Sequence, residues 1–98
     1  MPVSSYAKDD TVFVKLSKSF TFDDHADFRR AALSYSSGTR FEVDFGDIEQ
    51  IDSASIGMLL LLRAETGGEE ANIALVNCRP NILKLFRMCQ FGDLFRLH

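Results

Sequence analysis

The chain has 98 residues, which is enough for one domain with one core and no staples. Hydrophobic residues make up 46% and charged residues 26%, a globular balance that excludes a disordered chain or a coiled coil. The net charge of -3 argues against a nucleic-acid partner held by phosphate neutralisation, which needs a basic face.

Two cysteines, Cys78 and Cys89, are too few for a disulfide framework. Both lie in apolar stretches, so we expect them reduced and buried. Met1 to Asp10 lacks the basic-then-apolar order of a signal peptide. The longest apolar run, Ile56 to Leu62, falls far short of the ~20 residues a membrane span needs. The expectation is a small, acidic, cytoplasmic domain covering residues 1–98, with no linker and no membrane insertion.

In chain order, Val3 to Ala7 reads as an edge strand and Asp9-Asp10 as its hairpin turn. Thr11 to Leu16 alternates Val12, Val14 and Leu16 with Phe13 and Lys15, which is strand periodicity. Asp23-Asp24 opens a helix, because acidic side chains suit its positive end. Phe28, Ala31, Ala32 and Tyr35 form its apolar face, and Gly38 stops it. Arg40 to Phe45 alternates again, followed by a loop from Gly46 to Ile51. A second helix runs from Ser53 to Thr66 and ends at Gly67-Gly68. It is apolar nearly all round, so Met58 and Leu59 to Leu62 are expected in the core. Asn72 to Asn77 is apolar on both faces, as a central strand is. Pro80 suits the first turn of a third helix, whose apolar face is Ile82, Leu85, Phe86 and Cys89. Leu94 to Leu97 reads as a last short strand.

The predicted fold class is therefore α/β: a single small mixed, mostly parallel sheet of about four or five strands with three helices. Parallel strands point their C-terminal ends to one edge, where ligands and partners of open α/β sheets bind. Three loops should gather there: Ser17 to Phe22, Gly46 to Asp52, and Asn77 to Pro80.

Asp52-Ser53-Ala54-Ser55 enters the second helix from that edge. Helix capping by Asp52 or Ser53 alone accounts for these residue types. The same residues also read as a modification site. A phosphate on Ser53 would face unpaired helix N–H groups and the positive dipole end. It would not melt the helix. It would add about -1.5 to -2 charge beside Asp47, Glu49 and Asp52, and so repel a docked partner.

The stretch from Phe41 to Leu62 resembles the signature of the STAS domain, the fold of bacterial anti-sigma factor antagonists. Val43-Asp44, Ile51-Asp52-Ser53, Gly57 and the run Met58 to Leu62 carry the resemblance. Gly67-Gly68, Ile73 to Val76, Pro80 and Leu85-Phe86 follow in the family's order, so the likeness spans about Val12 to Phe95. It implies a regulatory binding module, not an enzyme. It also implies that Ser53 is phosphorylated by a serine kinase that doubles as anti-sigma factor and dephosphorylated by a serine phosphatase, with the unphosphorylated form binding the kinase.

Two positions depart from the family's pattern. Ser55 stands where the family often has Gly, so Ser55 is a second candidate acceptor or simply a helix residue. The segment Lys18-Ser19-Phe20-Thr21-Phe22-Asp23 is similar to a subset linked to response-regulator phosphatases or kinases that control attachment or biofilm formation. The residues expected at the partner surface are Phe20, Phe22, Asp23, Asp47, Glu49, Asp52, Ser53 and Ser55. For Phe20 and Phe22 the competing expectation is core packing. The alternative function is a constitutive STAS subunit of a transport ATPase or lipid-transport complex.

Other constellations carry little. His25 and His98 are the only histidines and show no metal-ligand spacing, and no glycine loop cradles a phosphate, so no metal and no cofactor are expected. Asp23, Asp24 and Asp44 loosely resemble a phospho-aspartate receiver, but no Lys ends the Asn72 to Asn77 strand. Arg79, Lys84, Arg87 and Arg96 make a solvated basic helix face or a docking patch. A monomer is the expected state.

Overall fold

A computed structural model describes residues 3–17, 20, 24–33 and 40–98. The chain opens with a hairpin, β1 (Val3–Lys8) and β2 (Thr11–Leu16). Its two-residue turn holds Asp9 at φ 52° and Asp10 at φ 68°. Both values are left-handed, as the hairpin turn that matches strand twist requires, and Asp tolerates that region better than most residues do. The expected Asp-Asp turn is present. β1 runs one residue past its predicted end, to Lys8, which pairs with Thr11.

After β2 come α1 (His25–Leu33), β3 (Arg40–Asp44), α2 (Ser53–Glu65), β4 (Asn72–Val76), α3 (Pro80–Met88) and β5 (Arg96–Leu97). The strands form one five-stranded sheet in the order β1-β2-β3-β4-β5. β1 is antiparallel to β2, and every later neighbour is parallel. This is the mixed, mostly parallel sheet expected from the element order.

Sequential order and right-handed crossovers together place successive helices on the same face of a sheet. Burial shows which face. Val12, Val14, Leu16, Phe41, Val43, Ile73 and Leu75 are all buried, and the register aligns them across the strands. The opposite face carries Phe13, Lys15, Glu42, Asp44 and Val76, none of them fully buried. Tyr6 stacks on Phe13 there, with ring centroids 4.9 Å apart. Ala74 is buried on that open face because its short side chain lies below its neighbours.

Under the helices a line of phenylalanines holds the layers together. Phe28 of α1 meets Phe20 at 4.9 Å, and Phe20 meets Phe45 at 6.1 Å. Phe45 meets Phe86 of α3 at 5.3 Å, and Phe86 meets Phe91 at 5.4 Å. Each such pair adds about 0.5–1.5 kcal/mol beyond its buried area. An ion pair between Arg29 and Glu65, 3.0 Å apart, joins α1 to α2 on the surface.

Several boundaries differ from expectation for physical reasons. The Leu94 to Leu97 strand shrinks to Arg96–Leu97 because Phe91–Asp93 makes a turn of 3₁₀ helix and Phe95 is drawn into the core. α2 stops at Glu65, where the Thr66 hydroxyl donates to the Leu62 carbonyl at 2.7 Å. Gly67 follows at φ 132°, a conformation closed to other residues. Among the described residues, α1 begins at His25, one residue after Asp24. Tyr35 and Gly38 lie outside the described residues.

The cysteines correct an expectation. Cys78 is only half-buried and Cys89 is exposed. α3 ends at Met88, and Gln90 at φ 60° turns the chain away, so Cys89 faces outward from the helix end.

Candidate functional site

The site is built where β2, β3 and β4 end. Asp44 closes β3, and its Oδ1 accepts the Gly46 backbone N–H at 2.8 Å. This local bond turns the chain out of the sheet. A side chain at Gly46 would bring its Cβ to 3.0 Å from the same oxygen, so a larger residue would push the Asp44 carboxylate aside. Ile48, fully buried, then nails the loop to the core.

The other two loops close on this one. Phe20 forms a parallel bridge with Ile51. Arg79 donates through Nε to the Gly46 carbonyl at 3.3 Å, and Asn81 donates to the Glu49 carbonyl at 3.0 Å. The three strand-end loops therefore meet at one edge, as the topology predicted.

Asp52 is the N-cap of α2, with φ -111° and ψ 177°. Its Oδ1 accepts the Ser55 N–H at 2.9 Å, satisfying one of the orphan donors of the first turn. The two candidate serines then separate sharply. Ser53 is the first residue of α2 and is exposed. Ser55 is fully buried, its hydroxyl donating to the Phe20 carbonyl and lying 2.8 Å from Asp52 Oδ1. Ser55 thus ties the β2 exit loop to the helix cap. The structure withdraws it from the surface, both as a modification site and as a partner contact.

Phe20 is withdrawn in the same way. It is fully buried against Phe28 and Phe45, so it anchors the fold and not a partner. Phe22 and Asp23 lie outside the described residues. Asp47, Glu49, Asp52 and Ser53 remain on the surface at one edge.

The electrostatics are more balanced than the loop sequence suggests. Lys15 Nζ lies 3.6 Å from Asp44 and 3.7 Å from Asp47. Arg79 Nη1 lies 3.8 Å from Glu49. These pairs are largely exposed, and each contributes at most about 1 kcal/mol. They nonetheless place two positive charges beside the acidic side chains of the loop. Cys78, beside this edge, has its thiol pushed up to about 11 by burial and then by the Asp44 charge, so it is neutral near pH 7 and a poor nucleophile.

Sequence reasoning missed the outer face of α2. Its buried residues are Ser55, Met58, Leu59 and Leu62. Helical geometry of about 100° per residue puts Ser53, Gly57, Leu60 and Ala64 on the opposite side. Leu60 is 41% and Leu61 46% exposed. The expectation that both lie in the core is overturned, because one helix packed on one side of a sheet buries only one stripe. An apolar strip therefore runs down α2 from Ser53. The small residues Gly57 and Ala64, spaced from Ser53 at helical intervals, were the signal that could have revealed it.

Among the described residues, no helix is long and apolar enough to cross a membrane. The sequence profile of the family described as "Mlab, STAS domain" matches residues 4–96. A STAS-domain containing protein of Pseudomonas aeruginosa is 38% identical over 85 residues, covering 86% of this chain and 84% of its own. Among solved structures, an anti-sigma factor antagonist from Mycobacterium paratuberculosis superposes with a TM-score of 0.82 at 15% identity, over 98% of this chain and 83% of that one. The anti-sigma factor antagonist SpoIIAA in its unphosphorylated form gives 0.73 at 16% identity, over 98% and 87%. The same Bacillus protein in its phosphorylated form gives 0.68 at 17% identity, over 98% and 90%.

Proposed function

The chain belongs to the STAS domain family, and from its site we propose that it is a phosphorylation-switched binding module rather than an enzyme. The observation that carries this reading is the division of labour at the start of α2. Asp52 does the capping, so Ser53 is left exposed with no structural duty, at the head of an apolar strip. A side chain free of structural work can be modified without unfolding the domain.

Unphosphorylated, the edge formed by Asp47, Glu49, Asp52 and Ser53, continued by Gly57, Leu60 and Leu61, is the surface for a partner. The partner is a serine kinase that acts as anti-sigma factor, or a related effector linked to a response regulator. A phosphate on Ser53 sits at the positive end of α2, where the dipole and the first N–H groups hold it. It adds about -1.5 to -2 charge and bulk at the centre of that surface, and partner affinity falls. A serine phosphatase restores binding. The domain acts as a monomer in the cytoplasm. SpoIIAA, which shares the fold, has a solved structure in both its phosphorylated and its unphosphorylated form, which supports a fold that carries the modification intact.

The exposed apolar strip also favours a second reading, a constitutive subunit of a transport ATPase, since apolar contact needs no phosphate. The test separates them. Protein from the native host is analysed by phosphopeptide mass spectrometry beside Ser53→Ala, and the proteins each captures are compared with those captured by Ser53→Asp. A phosphate on Ser53 and a partner lost only in Ser53→Asp support the switch. No phosphate under several growth conditions, with equal capture by both variants, refutes it in favour of the constitutive reading.

A further inference from the structure

A second cleft lies at the other end of the sheet, at the N-terminal ends of β4 and β5. It measures about 320 Å³ and is bordered by Arg63, Glu69, Gly92, Asp93 and Arg96. That is the low end of the range for small-molecule sites. Arg63 comes from the last turn of α2, Glu69 from the 3₁₀ turn that follows it, and Arg96 from β5.

Two facts set this cleft apart from ordinary surface. First, Arg63 Nε is cut off from solvent and has no hydrogen-bond partner among the described residues. A buried donor on a charged group is costly to leave unpaired, so it calls for an acceptor. Second, the cleft carries two guanidinium groups and two carboxylates, yet none of the four is ion-paired with any described residue. Opposite charges are held in one cleft but apart. Gly92 has nothing nearer than 4.0 Å to a built Cβ, so the wall beside Asp93 is open to a ligand.

We propose that this cleft binds a small zwitterion bearing both a carboxylate and an ammonium group, of the amino-acid or dipeptide class. The carboxylate lies between Arg63 and Arg96, where the planar guanidinium fork matches two oxygens and a turn of the Arg63 side chain gives its shielded Nε an acceptor. The ammonium lies toward Glu69 and Asp93. Summed charge in the cleft is near zero, which disfavours a dianion such as phosphate and favours a ligand of matching sign pattern. The site is separate from the Ser53 edge and does not depend on the switch reading.

The experiment is titration of the ¹⁵N-labelled full chain, following the Arg63 Nε–H and Gly92 amide signals. The probes are glycine, β-alanine and diglycine, which space the two charges differently, with acetate, methylammonium and inorganic phosphate beside them. At least one zwitterion should saturate both signals below about 10 mM, at least tenfold tighter than acetate or phosphate. Arg63→Lys keeps the charge and loses the fork, and should weaken binding at least tenfold. Glu69→Gln, an exposed change that leaves the core intact, should erase the preference over acetate. Acetate or phosphate binding as tightly as the best zwitterion, unchanged binding in Arg63→Lys, or no saturable shift with any probe would each overturn the proposal.

Discussion

Replacing Ser55 by alanine removes a side-chain hydroxyl that links Phe20, after β2, to the cap of α2. The hydroxyl donates to the Phe20 carbonyl and lies 2.8 Å from Asp52 Oδ1, in a position with no solvent exposure. Asp52 keeps the Ser55 N–H at 2.9 Å, so the cap itself survives. The loss is one buried hydrogen bond with its acceptor left behind, about 1–3 kcal/mol. Alanine returns about 0.5 kcal/mol through better helix propensity. The net cost is about 1–2 kcal/mol, which for a chain of this length lowers Tm by roughly 5–15 °C. Urea denaturation followed by circular dichroism measures it, with an unchanged m-value showing that compactness is preserved. Ser53→Ala is the control. Its side chain is exposed and does not cap, so its stability should stay within about 0.5 kcal/mol of the parent. Equal stability of the two variants would refute the division of roles between the serines.

Four further expectations follow from the same geometry. Asp52→Ala, which removes the cap oxygen, should cost about 1–2 kcal/mol, whereas Asp52→Asn should retain most of that stability in the same urea assay. Leu60→Asp should leave Tm nearly unchanged and abolish capture of the partner by pull-down; retained capture would remove the α2 strip from the interface. Gly67→Ala, forced to φ 132° with Ala71 N only 3.2 Å from the new Cβ, should destabilise by about 1–3 kcal/mol, and a neutral result would show that the turn relaxes. Cys78 gives a pH signature. Its thiol titrates near 9.0 unfolded and about 11 folded, so above pH 9 the unfolded state releases a proton that the folded state keeps. Stability must then fall between about pH 9 and 11. Cys78→Ala should flatten that slope in a series of denaturation curves.

The sheet and the helix order were readable because the signals are local. Strand alternation in Thr11 to Leu16, Pro80 at the start of α3 and Gly67-Gly68 after α2 each act within a few residues. The exposed face of α2 was masked by composition: Ile56 to Leu62 has no polar residue, so only the small residues Gly57 and Ala64, in register with Ser53, hint at which side is outward. Phe20 was undecidable from sequence, since its burial depends on Phe28 and Phe45, which reach it through the tertiary fold. The charge balance at the Ser53 edge was also out of reach. Lys15 and Arg79 approach Asp47 and Glu49 from other strands' ends, and adjacency along the chain shows only the acids. Ser55 reads as an alternative acceptor from sequence because residue type and spacing are the same for an exposed and a buried hydroxyl.

The uninterrupted strand order β1 to β5 has a consequence for how the molecule is made. Every strand pairs with the one that left the ribosome just before it, so the sheet grows in one direction and no late strand must wedge between earlier ones. Each parallel step waits only for the helix between its two strands, which limits the loop to be closed. Incomplete sheets always expose one growing edge, and that edge is open to wrong pairing until the next strand arrives. The two residues of β5, with the His98 N–H donating to the Leu75 carbonyl at 2.9 Å, finally occupy the edge of β4. β5, the last strand of this sheet in chain order, therefore covers the edge that β4 would otherwise leave open to neighbours on the polysome.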